Sequence, residues 1–557
     1  MLLGVDVGGT HTDAVVLEGN KVIAQAKVAT DSKALLTSIA RVLALVLKDI
    51  DPVQIKRLNL STTLSTNALV EKQTEEVAVI VSAGPGMAPE SFRMGDHYFP
   101  VAGAVDHRGI EVARMNDSEI KSVASQCARA NLRCAAVISK FSTRSQKHEE
   151  EMGQIFSPHM DHITLGHRLS GHLNFPRRIA TAYYNASVWR LFNKFADAVE
   201  ESVLKSGITA PINILKADGG TIPLELARKL PVESILSGPA ASVMGIIALC
   251  EIENDAIILD VGGTTTDIAV FADASPIIEE DGACFADHHT LVRAVKTLSL
   301  GIGGDSAMNI TRDPETGANY VTVGPERFGP CMALGGEHPS LMDAFNTIHA
   351  SGLGDIAASK KGLARLASQY DMPPEELAEA AIEYASLQIT RAVDRLLMEI
   401  NSRPVYTIRE LLGKRKIEPT QIFMIGGPAE VFKQYLSKSL KQEVELPPRF
   451  SVANAIGAAL ARNTAELELF ADTQQGKLLI PTLGIERAVP KEYTLEAAKK
   501  DAFSAMQGYL NSQGVKNDAS IDIIEAYSFN MIGESGLSGR NIRVKCQVRP
   551  GLQPEIE

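Results

Sequence analysis

One short segment, rich in glycine and bounded by acidic residues, occurs twice in the chain. Residues 6–13 read Asp-Val-Gly-Gly-Thr-His-Thr-Asp and residues 260–267 read Asp-Val-Gly-Gly-Thr-Thr-Thr-Asp, identical at seven of eight positions. Glycine N–H groups and threonine hydroxyls can bind phosphate oxygens, and a neighbouring carboxylate can hold Mg²⁺ directly or through water. Two such segments facing each other would hold a polyphosphate from both sides, with Asp6 and Asp260 beside the metal ion.

The elements around these segments indicate the fold. Each copy lies between short apolar runs, which predicts a strand, a tight turn and a second strand. A single copy fits a plain β-hairpin equally well, but repetition in the same context favours phosphate binding. Two more glycine loops follow strand-like runs, at residues 301–304 and 426–427. Helical periodicity separates the strands, most clearly over residues 192–204, 363–368, 374–401 and 452–461. This alternation predicts an α/β fold.

Composition and charge exclude several functions. The 557 residues include 55 Lys and Arg against 67 Asp and Glu, a net charge of −12, so we expect neither a nucleic-acid partner nor an anionic membrane surface. The longest apolar stretch, residues 35–47, is interrupted and too short to span a bilayer. The amino terminus has no secretory-signal pattern, so we expect a cytoplasmic protein. The six cysteines are scattered, which favours reduced, buried thiols.

Common motifs of other enzyme classes are absent from the sequence. Neither Gly-Lys pair is followed by Ser or Thr, so there is no Walker A motif. The glycine turns do not follow the Gly-x-Gly-x-x-Gly pattern of dinucleotide folds. Neither Gly-x-Ser-x-Gly nor His-Glu-x-x-His occurs, so hydrolysis without ATP is not supported.

The order of the glycine motifs resembles a known superfamily. The two Asp-x-Gly-Gly-Thr turns, the Gly303-Gly304-Asp305 loop and the Ile425-Gly426-Gly427 turn resemble the phosphate-1, phosphate-2 and adenosine elements of the actin, sugar kinase and heat-shock chaperone ATPases. More closely, the chain is similar to the hydantoinase A and 5-oxoprolinase family over roughly its first 465 residues. The motifs that carry this similarity lie at residues 61–69, 218–220, 235–240, 323–326 and 335–344.

The resemblance implies a fold and a chemistry. It implies a two-lobed, actin-like fold of the ribonuclease H type, with a five-stranded mixed sheet in each lobe and MgATP in the cleft. It also implies ATP-dependent opening of a cyclic amide such as hydantoin or 5-oxoproline, or an ATP-dependent carboxylation, often with a second subunit of the hydantoinase B type. We expect a first lobe over 1–252, a second lobe over 253–465 closed by the helix at 452–461, an α+β appendage over 466–557, and a homo-oligomer.

The same resemblance assigns roles to residues of the repeated turns. Asp6 and Asp260 are expected to position Mg²⁺ and to take part in catalysis. The predicted contacts to ATP are Gly8, Gly9, Thr10, Thr12, Gly262, Gly263, Thr264, Thr265, Gly303, Gly304, Gly426 and Gly427. Asp13 and Asp267 are expected to be structural and to bond turn amides. Asp218 is either a catalytic base or substrate ligand, or a turn-forming residue.

Three features depart from the pattern or carry weaker signals. Residues 296–299 read Lys-Thr-Leu-Ser where the family usually has Asp-Val-His-Thr, so those acidic and imidazole groups have no counterpart here. Residues 159–172 contain His159, Asp161, His162, His167 and His172, but their spacing fits no metal motif and favours a solvated loop. Arg177 and Arg178 could contact an anionic substrate or partner, but exposed arginines are usually solvated, which is the expectation here. Asn67 is either a helix cap, the favoured role, or a polar contact in the cleft.

Two other functions stay open on the sequence alone. One is a small-molecule kinase of the same superfamily, with Asp218 as its base. The other is a regulatory ATPase that opens and closes on a protein partner. A resemblance of fold does not name the substrate.

Overall fold

The computed structural model describes residues 1–31, 34–279, 282–315, 317–349, 353–402, 416–515, 520–533 and 536–553. Up to residue 249, strands and helices alternate. The elements in this region are β1 (Leu2–Val7), β2 (His11–Glu18), β3 (Lys21–Ala29), α1 (Leu35–Val46), β4 (Arg57–Thr62), α2 (Leu64–Val70), β5 (Val77–Ser82), β6 (Tyr98–Pro100), β7 (Ala104–Val105), β8 (Glu111–Ala113), α3 (Asp117–Arg129), β9 (Cys134–Ser139), α4 (Lys147–Phe156), β10 (His162–Leu165), α5 (Phe175–Lys205), β11 (Ile212–Leu215), β12 (Thr221–Pro223), α6 (Leu224–Ala227) and α7 (Ser237–Leu249).

The first mixed sheet carries the first repeated turn. Its strand order is β12-β11-β4-β1-β2-β3, one strand more than the five expected, because β12 returns antiparallel along β11. The central strand β1 is buried throughout, and its apolar side chains pack against α1 and the second half of α5. Burial on both sides accounts for the continuous apolar run that the sequence shows there.

A second sheet in this region was not predicted. Strands β10-β9-β5-β6 form a four-stranded sheet in which every neighbouring pair is parallel. The first half of α5 covers it through Phe175, Ile179 and Ala182. The helix predicted over 192–204 is therefore the end of a 31-residue helix that spans two sheets.

The following region contains the second repeated turn. Its elements are β13 (Ala256–Val261), β14 (Thr266–Ala272), β15 (Ser275–Pro276), β16 (Cys284–Phe285), β17 (His288–His289), β18 (Thr297–Leu300), β19 (Met308–Arg312), β20 (Asn319–Val323), α8 (Leu341–His349), α9 (Ile356–Ser368), α10 (Pro374–Asn401), β21 (Gln421–Ile425), α11 (Ala429–Leu440), β22 (Val444–Glu445) and α12 (Ala453–Leu460). The sheet order is β15-β14-β13-β21-β22, with β18 also paired to β14. It too has six strands, so the α/β class is confirmed but the expected strand count is wrong.

The sequence repeat is also a structural repeat. In the first hairpin Asp6 pairs with Asp13, and in the second Asp260 pairs with Asp267, in the same antiparallel register. Each first strand also has a parallel neighbour, β4 beside β1 and β21 beside β13. The two turns are therefore presented by equivalent strands of two equivalent sheets.

Helices α7 and α12 lie between the two mixed sheets. Apolar residues of α12 pack on β1 and β2, whereas Val243 and Ile246 of α7 pack on the second sheet. The helices approach closely where an ideal Cβ on Gly457 would lie 2.3 Å from the backbone nitrogen of Gly245. The predicted helix at 452–461 is α12, and its backbone also approaches Gly4 of β1.

The last region forms an α+β unit. Its elements are β23 (Ala465–Asp472), β24 (Lys477–Ile480), β25 (Ile485–Ala488), α13 (Leu495–Ser512), β26 (Ile521–Gly533) and β27 (Gly536–Val548). The strands form an antiparallel sheet in the order β25-β24-β23-β27-β26, and α13 covers one face with Ala498, Ala502 and Met506.

The structure also tests the expectations about the cysteines and about membrane-spanning segments. Cys127, Cys134, Cys331 and Cys546 are buried, Cys250 is half-buried and Cys284 is exposed, and all six are free. Among the described residues, no helix combines the length and apolar character needed to cross a membrane.

The contact between β1 and α12 gives a test of this packing. We expect Gly4→Ala to destabilise the protein by about 1–3 kcal/mol, because the new Cβ overpacks the helix. An ideal Cβ on Gly4 would lie 2.1 Å from Ala455 O and 2.6 Å from Ala459 Cβ. Gly508→Ala is the matched control, since a Cβ there meets nothing within 4 Å and alanine favours the helix. Thermal unfolding measures both, and equal midpoints for the two variants would contradict this packing.

Candidate active site

The first repeated turn holds a buried carboxylate at the end of β1. Gly8 N donates to His11 O over 3.0 Å and closes the turn. Asp6 is 7% exposed, and its Oδ1 has no hydrogen-bond partner. Burial, together with the charges of Asp13 and Asp260, raises the pKa of Asp6 to about 7. A buried carboxylate with an unpaired oxygen is a strong candidate for a cation ligand.

The second turn repeats this arrangement. Gly262 N donates to Thr265 O over 2.9 Å, the counterpart of the bond in the first turn. Asp260 Oδ2 accepts from Ser242 Oγ of α7 and, over 3.1 Å, from Asn454 Nδ2 of α12. Its cross-strand neighbour Asp267 is half-buried, and desolvation together with the charge of Asp260 raises the pKa of Asp267 to about 7. The two helices between the sheets thus orient the second carboxylate.

The two turns meet each other. An ideal Cβ on Gly263 would lie 2.8 Å from Thr10 Oγ1 and 2.9 Å from Asp305 Oδ2, so a side chain at this position would have to displace both groups. The charges of Asp6 and Asp260 interact across the same contact. The predicted pairing of the turns is therefore present, and a polyphosphate between them requires Thr10 and Gly263 to separate.

The glycine loop at 303–304 lies behind the second turn. Gly304 N donates to Gly262 O over 2.9 Å, and Asp305 N donates to Gly263 O over 2.7 Å. Gly303 N donates to Ser306 Oγ over 2.8 Å. These N–H groups brace the turn and are not free for a ligand, so a contact of the two glycines to the nucleoside stays a prediction.

The glycine pair at 426–427 follows β21 and adjoins Asp260. Gly426 has φ +102°, and an ideal Cβ there would lie 2.1 Å from Val261 O and 2.9 Å from Asp260 Oδ1. Gly427 has nothing within 4 Å of its ideal Cβ. The pair therefore combines a close backbone approach to the second turn with an open side, as a nucleoside contact requires.

The other predicted residues of the turns differ in exposure. Gly9 and Thr264 are exposed and Thr265 is half-buried. Thr12 is fully buried and bonds Thr30 Oγ1 over 2.9 Å, so its side chain faces the hairpin core and not the cleft. Asp13 does not bond turn amides as expected; it forms an ion pair of 2.9 Å with Lys27.

Asp218 lies in the turn between β11 and β12. Its Oδ1 accepts from Gly220 N over 2.9 Å, and its Oδ2 lies 3.3 Å from Lys216 Nζ. Both oxygens are engaged inside the turn, and the side chain is 3% exposed. This is the geometry of the turn-forming alternative; a catalytic role stays a prediction.

Sequence reasoning favoured the wrong role for Asn67 and missed other side chains near the turns. Asn67 does not cap a helix, because it lies inside α2; its Nδ2 would be 3.7 Å from an ideal Cβ on Gly9, as in the alternative of a cleft contact. Arg327, which was missed, forms an ion pair of 2.9 Å with Asp305 behind the second turn. Periodicity predicted the helix that carries Asn454 but not the helix that carries Ser242, and it did not predict that both side chains bond Asp260.

Two expectations about surface residues are wrong. His167 is fully buried and bonds Glu149, and His172 contacts Glu466 and Glu468, so the histidines do not form one solvated loop. Arg178 is fully buried as well. Lys296, the first residue of the 296–299 segment that departs from the family pattern, forms ion pairs with Glu279 and Glu399.

Comparison with known proteins identifies the family to which this chain is similar. Residues 178–467 match the hydantoinase/oxoprolinase family, and residues 2–160 match the hydantoinase/oxoprolinase N-terminal region. The chain is 22% identical to 5-oxoprolinase 1 of Arabidopsis thaliana over 73% of its own length and 36% of that protein. It is 21% identical to the acetophenone carboxylase gamma subunit of Aromatoleum aromaticum over 61% of its length and 52% of that protein.

A solved structure shares the fold over nearly the whole chain. The ATP-dependent caprolactamase of Pseudomonas jessenii superposes with a TM-score of 0.70 and 18% identity, covering 99% of this chain and 88% of that chain. The chain spans about a third to a half of the two curated relatives. Since the family matches take up most of its length, the chain belongs to the hydantoinase/oxoprolinase family.

Proposed function

We propose that this chain is the ATP-binding component of an enzyme that opens a cyclic amide. The observation that carries this proposal is the contact of two equivalent aspartate-glycine turns at Thr10 and Gly263. The family membership supports it, since its relatives include a 5-oxoprolinase and an ATP-dependent caprolactamase. An amide is a poor electrophile, and a phosphoryl group placed on its oxygen makes that oxygen a leaving group.

The donor set fits Mg²⁺. This hard cation takes oxygen ligands and one or two carboxylates beside phosphates. Asp6 Oδ1 is buried without a partner, and burial together with the charge of Asp260 raises the pKa of Asp6. A cation bound between the two carboxylates would stabilise their charged forms. Asp6 and Asp260 would hold the ion, which when bound neutralises charge on the phosphates.

The remaining residues have roles that follow from their positions. The N–H groups and hydroxyls at 8–10 and 262–264 bind phosphate oxygens from two sides once the turns separate. Ser242 and Asn454 hold Asp260 in place through their hydrogen bonds. Gly426 and Gly427 leave room for the nucleoside beside the second turn. The lobes therefore open to admit ATP and close to exclude water from the phosphates.

A carboxylase component is the second candidate function. It is favoured by the match to the acetophenone carboxylase gamma subunit over 61% of this chain. Because that relative is a subunit, and because the chain covers only part of its longer relatives, we propose that the chain works with a second subunit. Both candidates transfer a phosphoryl group to a carbonyl oxygen in this cleft. In the hydrolase water then attacks the carbonyl carbon, whereas in the carboxylase the α-carbon of the phosphorylated enol attacks carbon dioxide, and phosphate leaves in both.

The two carboxylates give the first test of the cleft. We expect Asp6→Asn and Asp260→Asn each to weaken Mg²⁺-dependent ATP binding at least about tenfold, because each removes a charge from the proposed ion site. Asp51→Asn is the control, since Asp51 is exposed and caps the turn at Pro52–Gln54 through Val53 N, a role that asparagine fills equally well. Isothermal titration measures all three. Unchanged affinity in both Asp6→Asn and Asp260→Asn would contradict the clamp.

The substrate class is tested by phosphate release from MgATP. We expect release to be stimulated by one class among hydantoins, 5-oxoproline, larger lactams and simple ketones. Stimulation by a lactam or imide supports the hydrolase, whereas stimulation by a ketone that requires bicarbonate supports the carboxylase. A stable phosphorylated alcohol, detected by mass spectrometry, would replace both with a kinase.

Asp218→Asn separates the two roles of that residue. We expect a lower melting temperature with most of the ATP turnover retained, because both carboxylate oxygens are engaged in the turn. Thermal unfolding and steady-state turnover are measured on the same preparation. Lost turnover at an unchanged melting temperature would instead identify Asp218 as a general base.

A further inference from the structure

In the four-stranded parallel sheet the connections diverge between two neighbouring strands, β5 and β9. Along the chain β5 is followed by β6 on one side of the sheet, whereas β9 is followed by β10 on the other side. In open parallel sheets, ligands bind at the carboxyl ends of the two strands between which the connections diverge. Here the two strands end at Ser82 and Ser139, which lie opposite each other in the sheet. Just beyond them, Lys140 N donates to Ser82 O over 2.8 Å.

A buried arginine lies close to this edge. Arg178, in the first turn of α5, is 0% exposed. Its Nη1 donates to Ser142 Oγ over 3.1 Å, but its Nε and Nη2 have no partner. The described residues place no carboxylate within ion-pair distance of it. Nε and Nη2 form one edge of the guanidinium, the fork that binds two oxygens of one carboxylate.

The nearest acidic group is already occupied. Glu149 accepts from Ser139 N over 2.8 Å, from His167 N over 2.7 Å and from His167 Nδ1 over 2.6 Å. An ideal Cβ on Gly166 would lie 2.8 Å from Arg178 Cδ and 2.9 Å from Glu149 Oε1, so these groups share one buried neighbourhood. The carboxylates of Glu149 and Glu468 both interact with the charge of Arg178, but neither bonds it, which leaves its Nε–Nη2 edge available to the oxygens of an anion.

Other unpartnered polar atoms come from the same loops. In the described part of the chain, six of the sixteen buried side-chain atoms without a partner belong to residues 143–178. Besides the two arginine nitrogens, these are Thr143 Oγ1, Gln146 Nε2, His148 Nδ1 and His167 Nε2. All lie in the segment after β9, the segment after β10, or the first turns of α4 and α5. Their number at one sheet edge points to a ligand, since buried polar groups are normally paired.

We propose that this edge binds a planar anion of the carboxylate type, either bicarbonate or a small organic carboxylate, with Arg178 as its bidentate partner. Thr143 and Gln146 offer further hydrogen bonds. In the tautomer that donates from Nδ1 to Glu149, His167 Nε2 can accept a hydrogen bond, for example from the hydroxyl of bicarbonate. The site is separate from the ATP cleft, and the inference does not rest on the proposed function.

Binding to the full chain is measured without ATP. ¹³C-labelled bicarbonate and ¹³C-labelled acetate are titrated separately, with ligand-detected NMR line broadening and unlabelled competitor at constant ionic strength. Saturation by both anions supports a site that reads the carboxylate group, and saturation by bicarbonate alone supports a site that also reads its hydroxyl. No saturable binding of either anion up to about 100 mM overturns the proposal.

Variants test the assignment to Arg178. We expect Arg178→Lys to weaken binding at least about tenfold, because lysine keeps the charge but loses the two-donor edge. Arg57→Lys is the matched control, since Arg57 is also a mostly buried arginine, bonded to Ala461 O and outside this edge. ATP binding is expected to be unchanged in both. Wild-type anion affinity in a folded Arg178→Lys protein would overturn the proposal.

A second variant, Thr143→Val, tests the same site if Arg178→Lys does not fold. Thr143→Val is isosteric and removes a hydroxyl that has no partner within the protein. We expect it to fold and to weaken anion binding severalfold. A folded Thr143→Val protein that keeps wild-type anion affinity would overturn the placement of the anion at this edge.

Discussion

The site depends on the contact between the two repeated turns. Gly263 lies so close to the side chains of Thr10 and Asp305 that a Cβ on it would displace them. Around this contact the fold concentrates negative charge, since Asp6, Asp13, Asp260 and Asp267 all lie on the four strands that carry the turns. Such an arrangement is unfavourable by itself and becomes favourable when a cation and its phosphates share it.

The helices between the sheets connect this contact to the rest of the chain. α7 supplies Ser242 and α12 supplies Asn454, both bonded to Asp260, while α12 also packs against β1 and the backbone of Gly4. One pair of helices therefore touches both mixed sheets. A change in the separation of the turns must be accommodated at this helix pair, so under the proposed function nucleotide binding and the relative position of the two mixed sheets would be linked through it.

Local patterns predicted the hairpins, but not the contacts made between distant segments. The repeat and its apolar flanks located both turns and their paired strands, and periodicity located α10 and α12. The burial of Arg178 and His167 was missed, because each lies in a polar segment without periodicity and is enclosed by loops far away in sequence. The parallel sheet was missed for the same reason, since its short strands pair only across long connections. Thr12 was placed in the cleft by its spacing, yet strand alternation turns it into the core.

The proposed function requires that the two turns hold the phosphates of ATP between them. A crystal structure with Mg²⁺ and a non-hydrolysable ATP analogue would locate the nucleotide. We expect phosphates between residues 8–10 and 262–264, the metal beside Asp6 and Asp260, and an opened contact between Thr10 and Gly263. A nucleotide bound elsewhere, or bound while that contact stays closed, would show that the turns do not hold the phosphates.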